Sequence, residues 1–396
     1  MWQKIKNYYH LFQAFCAATL NGFPAKKLKI IGITGTDGKS TTVNMIYHVL
    51  KYAHQKVSMI SSVGAQIGNI TYDTGFHVST PSPWRLQKHL RQALSSGSRY
   101  FVLEATSHGL DQNRLAFVNF EVGVITNITH EHLDYHKTRR NYVQAKLKLL
   151  KKSKLAVINA DDDSFNLLKS HINGKIVTYS KYKKTDFNLK NLSIKLKIPG
   201  EYNLSNALAA ASACRQLGIE KRKIIAALAN FPGIKGRIEE INMGQDFKVF
   251  IDFAHTPNGL KEALKTLQLM KKGEGKLIAV FGSAGERDSS KRPKMGQIAS
   301  SMADEIILTA EDPRREDPQD IVHQIASGIK NIKSEKINII IDRAKAIDFA
   351  VSIAKKGDII GIFGKGHEKS MAFGKNETPW DEFKIVEDAI KRRLNG

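Results

Sequence analysis

The stretch Gly32-Ile-Thr-Gly-Thr-Asp-Gly-Lys-Ser-Thr-Thr42 decides the fold of this 396-residue chain. Apolar residues at 27–33 predict a short buried strand that leads into it, and Ser40–Tyr52 continues with apolar residues at helical spacing. A glycine loop between a strand and a helix offers backbone N–H groups and a helix N-terminus to an anion. Ile33, however, occupies the place of the first glycine in the phosphate-loop pattern GxxxxGK[ST]. The loop is therefore either a nucleotide site of another kind or a glycine turn capped by Ser40.

The residues that follow the loop glycines favour a nucleotide site. Lys39 can neutralise phosphate oxygens, and the Ser40 hydroxyl can bind Mg²⁺. A Gly-Lys-Ser sequence directly after a buried strand is a specific pattern, so we interpret it as a nucleotide-binding loop.

Strand and helix patterns alternate along the chain, which is typical of a mostly parallel sheet covered by helices on both faces. A Pro-Gly cluster at 232–236 separates two such series. We predict an α/β protein with an N-terminal helical segment at 1–27, a P-loop-type, mostly parallel sheet domain at 28–233 and a smaller Rossmann-like α/β domain at 234–396. The strand candidates are 27–33, 100–104, 122–126, 155–159, 175–179, 249–253, 277–281, 305–308, 337–341 and 358–363. The basic stretch 181–197 predicts a hairpin or a loop insertion.

Composition limits the class of protein. An apolar share of 42% is ordinary for a globular chain, and two cysteines are too few for a disulfide framework or a zinc cluster, so we expect a cytoplasmic protein. The net charge of +23 suggests nucleic acid, but the lysines are spread out and no nucleic-acid-binding motif accompanies them. We therefore expect no nucleic-acid partner. The apolar stretch 8–20 is too short to span a bilayer, and we interpret it as a docking helix, with membrane-surface contact as the alternative.

Two polar stretches follow predicted strands and add candidate site residues. Glu104, in LEATSHGLDQNR at 103–114, ends a strand at the sheet edge where open α/β proteins bind ligands, and its carboxylate can hold a metal. TNITHEHLDYH at 126–136 contributes His132 and Asp134 as metal-ligand or acid–base candidates. We interpret His130 and His136 as surface or capping residues.

In order and spacing, these stretches resemble the motifs of the Mur ligase family, and within it the MurE type, from about Leu28 to the C-terminus. The loop at 34–41 matches the ATP loop TGTxGK[ST]T of that family, in which Ile33 is an ordinary residue. GKGHE and HLDYH distinguish the MurE type from folylpolyglutamate synthase and the other Mur ligases. The further matching motifs are STP at 79–81, EATSH at 104–108, NADD at 159–162, GEYNLSN at 200–206, GR at 236–237, DFAHTP at 252–257, GERD at 285–288, KRP at 291–293, EDPR at 311–314 and GKGHE at 364–368.

The resemblance implies an ATP- and Mg²⁺-dependent ligase of peptidoglycan precursor synthesis. A peptide carboxylate attacks the γ-phosphate to give an acyl phosphate, and the amine of an amino acid then displaces phosphate. By resemblance, the central domain binds ATP and the C-terminal domain binds the amino acid. The implied phosphate cradle is Gly35, Thr36, Asp37, Gly38, Lys39, Ser40 and Thr41. The implied Mg²⁺ ligands are Ser40, Glu104 and His132, and the implied adenine and ribose contacts are Asn203, Asn206, Arg237 and Asp252.

Lys146 stands where the family carries a carbamylated lysine that supports Mg²⁺. From the sequence alone it would be a solvated helix lysine, so the assignment comes from the resemblance.

The resemblance also implies two substrate sites. The muramoyl-peptide acceptor is expected at Ser79, Thr80, Thr106, Gln112 and Arg114. The incoming amino acid is expected at Arg287, Glu311, Asp312, Pro313, Arg314, Gly364 and Glu368. Arg314 suits the distal carboxylate of meso-diaminopimelate. Asp312 replaces the usual Asn, which leaves L-lysine open.

Family members also carry an N-terminal domain that binds uridine diphosphate, and residues 1–26 are too few for that domain. The acceptor is then bound without recognition of its uridine, or a partner protein supplies the uridine recognition, or the acceptor is not the usual nucleotide. Two alternatives remain: a ligase for a non-muramoyl acceptor, as in folylpolyglutamate or cyanophycin synthetases, and a non-catalytic ATP-binding scaffold. The joint presence of Lys39, Glu104, His132, Lys146 and Glu368 favours an enzyme.

Overall fold

The computed structural model describes residues 2–72, 80–129, 131–271, 273–330 and 336–395. The chain folds into two compact units. The first contains residues up to 129 together with 136–232, and the second contains the described part of 130–135 together with the chain from 233 onward. Among the described residues, no helix has the length and apolarity that crossing a bilayer requires.

The first unit begins with a long helix and continues as a nine-stranded sheet with helices between the strands. Its strands are β1 (Lys29–Thr34), β2 (Val57–Ser61), β3 (Gly64–Ile67), β4 (Ile70–Tyr72), β5 (Tyr100–Glu104), β6 (Phe120–Ile125), β7 (Ser153–Asn159), β8 (Lys175–Ser180) and β9 (Phe187–Asn188). The helices up to residue 232 are α1 (Trp2–Leu20), α2 (Lys39–Tyr52), α3 (Pro83–Ser95), α4 (Ser107–Asp111), α5 (Leu133–His136), α6 (Arg139–Lys151), α7 (Phe165–Lys169), α8 (Glu201–Gln216) and α9 (Lys221–Ala229).

Strand β1 lies in the middle of this sheet and pairs in parallel with β5 on one side and β6 on the other. The full order is β4-β3-β2-β5-β1-β6-β7-β8-β9, and among the described strands the antiparallel pairs are β2 with β3 and β3 with β4. The predicted mostly parallel sheet is thus confirmed. The carboxyl ends of β1, β5 and β6 are adjacent, which brings together the glycine loop, Glu104 and the chain after Ile125.

Of the two alternatives for residues 181–197, the loop insertion is confirmed: the stretch is mostly loop, and its short strand β9 pairs in parallel with β8 instead of forming a hairpin. The antiparallel edge formed by β2, β3 and β4 was not predicted, and β3 and β4 are only four and three residues long. Helix α1 begins at Trp2, well before the apolar stretch that predicted it.

The second unit is built on a six-stranded sheet of order β10-β11-β15-β12-β13-β14, parallel except for β10. Its strands are β10 (Glu239–Ile241), β11 (Lys248–Asp252), β12 (Leu277–Phe281), β13 (Glu305–Leu308), β14 (Ile337–Ile339), β15 (Ile359–Phe363) and a separate hairpin of β16 (Ser370–Phe373) and β17 (Asn376–Pro379). Its helices are α10 (Pro257–Met270), α11 (Arg292–Met302), α12 (Pro318–Ala326), α13 (Arg343–Ile353) and α14 (Glu382–Asn395).

Both faces of the second sheet are buried. Consecutive residues of one strand point to opposite faces, and Ala279 and Val280 of β12 accordingly belong to two separate apolar clusters. The first cluster includes residues of α10, α11 and α12, and the second includes residues of α13 and α14. Because the parallel strands end at one edge, the chain after Asp252, Phe281, Leu308 and Phe363 converges there.

Candidate active site

The loop between β1 and α2 can be formed only with glycine at two of its positions. Gly35 has φ +153°, and a Cβ there would lie 1.8 Å from Thr126 Oγ1. Gly38 has φ +80°, and its Cβ would lie 2.2 Å from Asn206 Oδ1. The backbone therefore passes close to its neighbours, which is the use of glycine in a phosphate-binding turn. Asn206 is buried, and its amide donates to Asn203 Oδ1 at 3.2 Å.

The chain after β6 fixes the conformation of this loop. The Asn127 carbonyl oxygen accepts from the Thr36 amide at 2.9 Å, and Asn127 Oδ1 accepts from the Asp37 amide at 2.9 Å. The Thr126 hydroxyl donates to the Asp37 carbonyl oxygen at 2.6 Å. Sequence reasoning did not assign these two residues a role, although their place directly after a strand next to β1 was a usable signal.

Glu104, the last residue of β5, and Ser40, in the first turn of α2, are in direct contact. Glu104 Oε2 accepts from the Ser40 hydroxyl at 2.9 Å and from the Ser62 amide at 2.9 Å. The Ser62 hydroxyl also lies 2.7 Å from Ser40 Oγ. Glu104 is only 1% exposed. A hydroxyl and a carboxylate side by side next to a phosphate-type loop are hard oxygen donors of the type that Mg²⁺ prefers.

Two lysines contact the loop from different sides. Lys39, at the start of α2, donates to the Thr36 carbonyl oxygen at 2.7 Å. Lys146 of α6 is 1% exposed, donates to the Gly35 carbonyl oxygen at 2.6 Å and lies 4.4 Å from the Tyr142 ring centroid. The interpretation of Lys146 as a solvated helix lysine is therefore wrong, because its amine is buried against the loop.

His136 is also placed differently from the expectation. It is 5% exposed, and its ring packs 5.3 Å from that of Tyr142 and 5.5 Å from that of His108, measured between centroids. It is not a surface residue. His130 and Ser79 lie outside the described residues.

Three of the residues expected to contact the acceptor, Thr80, Thr106 and Arg114, form one hydrogen-bonded group in the first unit. Thr80 Oγ1 accepts from the Thr106 amide at 2.9 Å and donates to the Glu104 carbonyl oxygen at 3.1 Å. Thr106 Oγ1 accepts from the Gly109 amide and so caps α4. Arg114 donates to the Thr80 carbonyl oxygen at 3.3 Å. Thr80 is buried, whereas Thr106, Gln112 and Arg114 are half-buried.

In the second unit, Arg237 contacts the ring of Phe253, and Asp252 directly precedes Phe253 in the chain. The Arg237 guanidinium lies 4.6 Å from the Phe253 ring centroid. The Asp252 carboxylate accepts from the amides of Ile238 at 2.8 Å and Ala254 at 2.7 Å. Asp252 thus holds the turn that places the guanidinium over the ring.

Glu311 lies buried beside Gly364. A Cβ on Gly364, which has φ +107°, would lie 2.1 Å from Glu311 Oε2. That oxygen is fully enclosed and has no hydrogen-bond partner among the described residues. Burial raises the pKa of Glu311 to about 7, although the Lys291 and Arg343 cations act in the opposite direction.

Asp312 and Glu368 share one buried lysine. Lys365 Nζ donates to both carboxylate oxygens of Asp312, at 2.9 and 3.0 Å, and to Glu368 Oε2 at 2.7 Å. Asp312 Oδ1 also accepts from the Ala372 amide at 2.9 Å. Lys365 is fully buried, and the two carboxylates raise its pKa against the opposing effect of burial.

Arg287 and Arg314 are close enough for their charges to repel. Partial loss of solvation, and then the Arg314 cation, lower the pKa of Arg287, while Asp134 and Glu131 partly offset that effect. Arg314 Nη1 donates to the Gly285 carbonyl oxygen at 2.9 Å. Two neighbouring guanidinium groups form a site that attracts carboxylates.

His132 belongs to the same unit as these arginines. It is in the left-handed region at φ +58°, and its Nδ1 lies 4.0 Å from Glu131 Oε1. Glu131 is buried and pairs with Lys291 Nζ at 3.4 Å. Among the described residues, no three His, Cys, Asp or Glu side chains group closely enough to form a metal site by themselves.

One buried ion pair near Glu311 was missed from the sequence. Arg343 is ion-paired with Glu382, and both are buried. Its guanidinium also donates to the carbonyl oxygens of Phe363 at 2.8 Å and Ala310 at 3.4 Å. Arg343 therefore links Phe363 to Ala310, the residues that directly precede Gly364 and Glu311. An arginine at a helix start gives no sequence signal for this role.

A glycine loop of the phosphate-binding kind, at the carboxyl edge of a parallel sheet and beside a serine–carboxylate pair, defines a P-loop-type nucleotide-binding α/β protein. The family comparison is more specific. Residues 33–214 match the Mur ligase middle domain, and residues 236–366 match the Mur ligase, glutamate ligase domain. The chain belongs to the Mur ligase family of ATP-dependent amino-acid ligases, which confirms the resemblance found in the motifs.

Individual relatives cover most of the chain. It is 37% identical over 388 residues to UDP-N-acetylmuramoyl-L-alanyl-D-glutamate--2,6-diaminopimelate ligase 1 of Clostridium acetobutylicum, across 93% of this chain and 79% of that one. It is 36% identical to UDP-N-acetylmuramyl-tripeptide synthetase of Roseiflexus sp. (strain RS-1), across 92% and 79%. A solved structure of a UDP-N-acetylmuramoyl-L-alanyl-D-glutamate--2,6-diaminopimelate ligase matches with a TM-score of 0.61 and 32% identity, across 93% and 79%.

Proposed function

We propose that this chain is an ATP-dependent ligase that joins meso-diaminopimelate to the free carboxylate of a muramoyl-dipeptide. Its relatives named as diaminopimelate ligases support the substrates. The observation that carries the ATP-dependent step is the contact of Ser40 with Glu104 beside the glycine loop. This function places the chain in the cytoplasm and in cell-wall synthesis, on which cell shape and division depend.

The donor set fits Mg²⁺, because Ser40 and Glu104 provide a hydroxyl and a carboxylate oxygen 2.9 Å apart. We assign a first Mg²⁺ to these two residues, and a second to His132 with support from a carbamate on Lys146. The burial of Lys146 against the Gly35 carbonyl oxygen supports a role at the loop. When bound, the metal neutralises charge on phosphate oxygens.

The residues of the chain then act by binding and alignment. The amides of residues 35–41 and the Lys39 ammonium hold the phosphates of ATP, and Asn203, Asn206, Arg237 and Asp252 hold adenine and ribose. The acceptor, bound by Ser79, Thr80, Thr106, Gln112 and Arg114, attacks the γ-phosphorus through a carboxylate oxygen. ADP leaves, and an acyl phosphate forms.

The second step joins the amino acid. Its amine nitrogen attacks the acyl carbon and loses a proton, and inorganic phosphate leaves. Arg287 and Arg314 are suited to the two carboxylates of meso-diaminopimelate. Glu311, Asp312, Pro313, Gly364 and Glu368 complete this site. The alignment of the nucleophile and the neutralisation of charge lower the barrier of both steps.

A matrix of substrates tests the proposal. ADP release is measured with each pairing of a muramoyl-dipeptide nucleotide, a folate or no acceptor with meso-diaminopimelate, L-lysine or no amino acid. We expect turnover only when the muramoyl-dipeptide and an amino acid are both present. Turnover that follows the folate instead would contradict the acceptor assignment, and nucleotide binding without turnover in any pairing would contradict an enzymatic role.

A further inference from the structure

One face of α1 exposes large apolar side chains. The helix contacts α3, and its small residues Ala14, Ala17 and Ala18 are fully buried. The large apolar residues that it exposes are Ile5, Tyr8, Tyr9, Leu11, Phe12, Phe15 and Leu20. Among these residues, Ile5, Tyr8, Phe12 and Phe15 have the spacing of residues on one helix face. Single exposed apolar residues are ordinary, but a contiguous set on one face marks a binding surface.

Aromatic contacts extend this face beyond the helix. The Phe117 ring lies 5.7 Å from that of Phe15 and 6.4 Å from that of Phe23, measured between centroids. Lys26 Nζ lies 4.7 Å from the Phe23 ring centroid. Phe117 is 39% exposed and adopts φ +62°, in the left-handed region that an aromatic residue rarely occupies. The apolar face of α1 is thus continuous with an exposed lysine.

The charge of this part of the chain has one sign. Residues 1–36 contain five lysines and no Asp or Glu. Lys6, Lys26 and Lys27 are exposed. An apolar, aromatic face accompanied by lysines and free of acidic residues complements a surface that is apolar below and anionic above, as the boundary of a bilayer with anionic head groups is.

We propose that the exposed face of α1 docks on an anionic lipid surface. Tyr8, Phe12 and Phe15 enter the boundary between head groups and acyl chains, where aromatic side chains are favoured. The lysines contact lipid phosphates. The helix is about 28 Å long and lies in the plane of the surface, so that it anchors the chain without spanning the bilayer. This binding is independent of ligase activity.

Co-sedimentation with vesicles tests the proposal. One set contains equal parts of phosphatidylglycerol and phosphatidylcholine, and the other contains phosphatidylcholine alone. Wild type should bind the first set at least tenfold more tightly, and higher salt should weaken that binding. The double variant Tyr8→Ser/Phe12→Ser should bind at least tenfold more weakly than wild type. Lys6→Gln/Lys27→Gln should lose about fivefold for each lysine.

A matched control has the same exposure elsewhere on the chain. Tyr182 is 74% exposed, as Tyr8 is, and Leu269 is 71% exposed against 66% for Phe12. Tyr182→Ser/Leu269→Ser should bind vesicles like wild type, and thermal melting checks that all variants fold.

Equal binding to both vesicle sets, no binding, or unchanged binding of the α1 variants would overturn the proposal. So would a wild-type dimer in sedimentation equilibrium that Tyr8→Ser/Phe12→Ser converts to monomer, because a second copy would then cover this face. The salt series uses wild type alone and decides the question even if a variant fails to fold.

Discussion

The Glu104 carboxylate accepts a hydrogen bond from the Ser40 hydroxyl at 2.9 Å, although 64 positions separate the two residues in the chain. The parallel pairing of β5 with β1 brings them together, since both residues follow or end strands whose carboxyl ends are adjacent. The contact links a loop suited to phosphate with a carboxylate suited to a metal. The proposed chemistry depends on this pair.

Glu104→Gln tests the metal role of the pair. The change removes the negative charge and keeps the shape of the side chain, so we expect kcat to fall roughly 100-fold or more with little change in thermal stability. Glu121→Gln is the control, because Glu121 is in β6, on the other side of β1 from β5, and pairs with Lys154 at 2.9 Å. Full activity of Glu104→Gln at limiting Mg²⁺ would exclude Glu104 as a ligand.

Lys39→Ala should abolish ATP-dependent ligation and leave the fold intact. The variant loses the cation that compensates phosphate charge. In the loop without ATP it loses the hydrogen bond from Lys39 to the Thr36 carbonyl oxygen, which is a small change for the fold. Lys51→Ala, near the other end of α2, is the control and should be fully active. Turnover of Lys39→Ala at the wild-type rate would show that ATP binds elsewhere.

Lys146→Ala should be severely impaired and partly rescued by acetate or formate, which replace the carboxylate of the carbamate. Because Lys146 is buried, the variant also leaves a cavity that a small anion can enter. Lys148→Ala removes a half-buried lysine from the same helix, one that pairs with Asp111 at 2.8 Å, and should neither lose activity nor respond to acetate. A Lys146→Ala protein that is fully active without additives would contradict the assignment.

Arg314→Ala should narrow the preference for meso-diaminopimelate over L-lysine. Lysine lacks the distal carboxylate and would leave a guanidinium unpaired, which costs roughly 1–3 kcal/mol or about tenfold to a few hundredfold in discrimination. The Asp312 carboxylate accepts hydrogen bonds from the Lys365 ammonium. Asp312 therefore already has a cation partner, although it lies close to Arg314 in the chain. The ratio of kcat/KM for the two amino acids gives the measurement, and Arg315→Ala is the adjacent control. A wild type that prefers lysine defeats this prediction.

Glu311→Gln should change how stability depends on pH. Burial raises the Glu311 pKa from 4.5 to about 7, so between these values the folded state binds more protons than the unfolded state. The contribution of Glu311 to the free energy of unfolding therefore falls as the pH rises through this window, by roughly 3 kcal/mol at most. Urea unfolding of the variant from pH 5 to 8 should show a flatter decline than wild type.

Glu316→Gln is a control of opposite sign for that experiment. A hydrogen bond from Arg292 lowers the pKa of Glu316, so its stabilising contribution is present at neutral pH and is lost as the pH falls. The Glu316→Gln variant should therefore be less stable than wild type at neutral pH. Parallel pH curves for wild type and Glu311→Gln would show that the Glu311 carboxyl titrates normally.

The sequence predicted the strands that carry the loops, because parallel buried strands are continuous apolar runs that end where polar motifs begin. Ser40 and Glu104 could be named because each follows or ends such a strand. The support around them could not be named in the same way. Lys146 lies in an amphipathic helix, and only its tertiary packing against Gly35 distinguishes it from the exposed lysines nearby.

The second unit shows the same limit of sequence reasoning. Arg343 and Glu382 belong to two helices that look ordinary in the sequence, yet their ion pair joins the ends of two strands at the proposed amino-acid site. Contacts between residues about 40 positions apart leave no periodic pattern. The motif at 311–314 was found, but the pairing of Asp312 with Lys365 became visible only in the fold.

The most direct measurement of the central claim follows one oxygen atom. The muramoyl-dipeptide carboxylate is labelled with the heavy oxygen isotope, and the chain is supplied with ATP, Mg²⁺ and meso-diaminopimelate. If an acyl phosphate forms, each ligation moves one labelled oxygen from the acceptor to inorganic phosphate, and mass spectrometry finds the label there in a one-to-one ratio with the tripeptide product. Tripeptide formed with unlabelled phosphate, or phosphate released without tripeptide, would contradict the account.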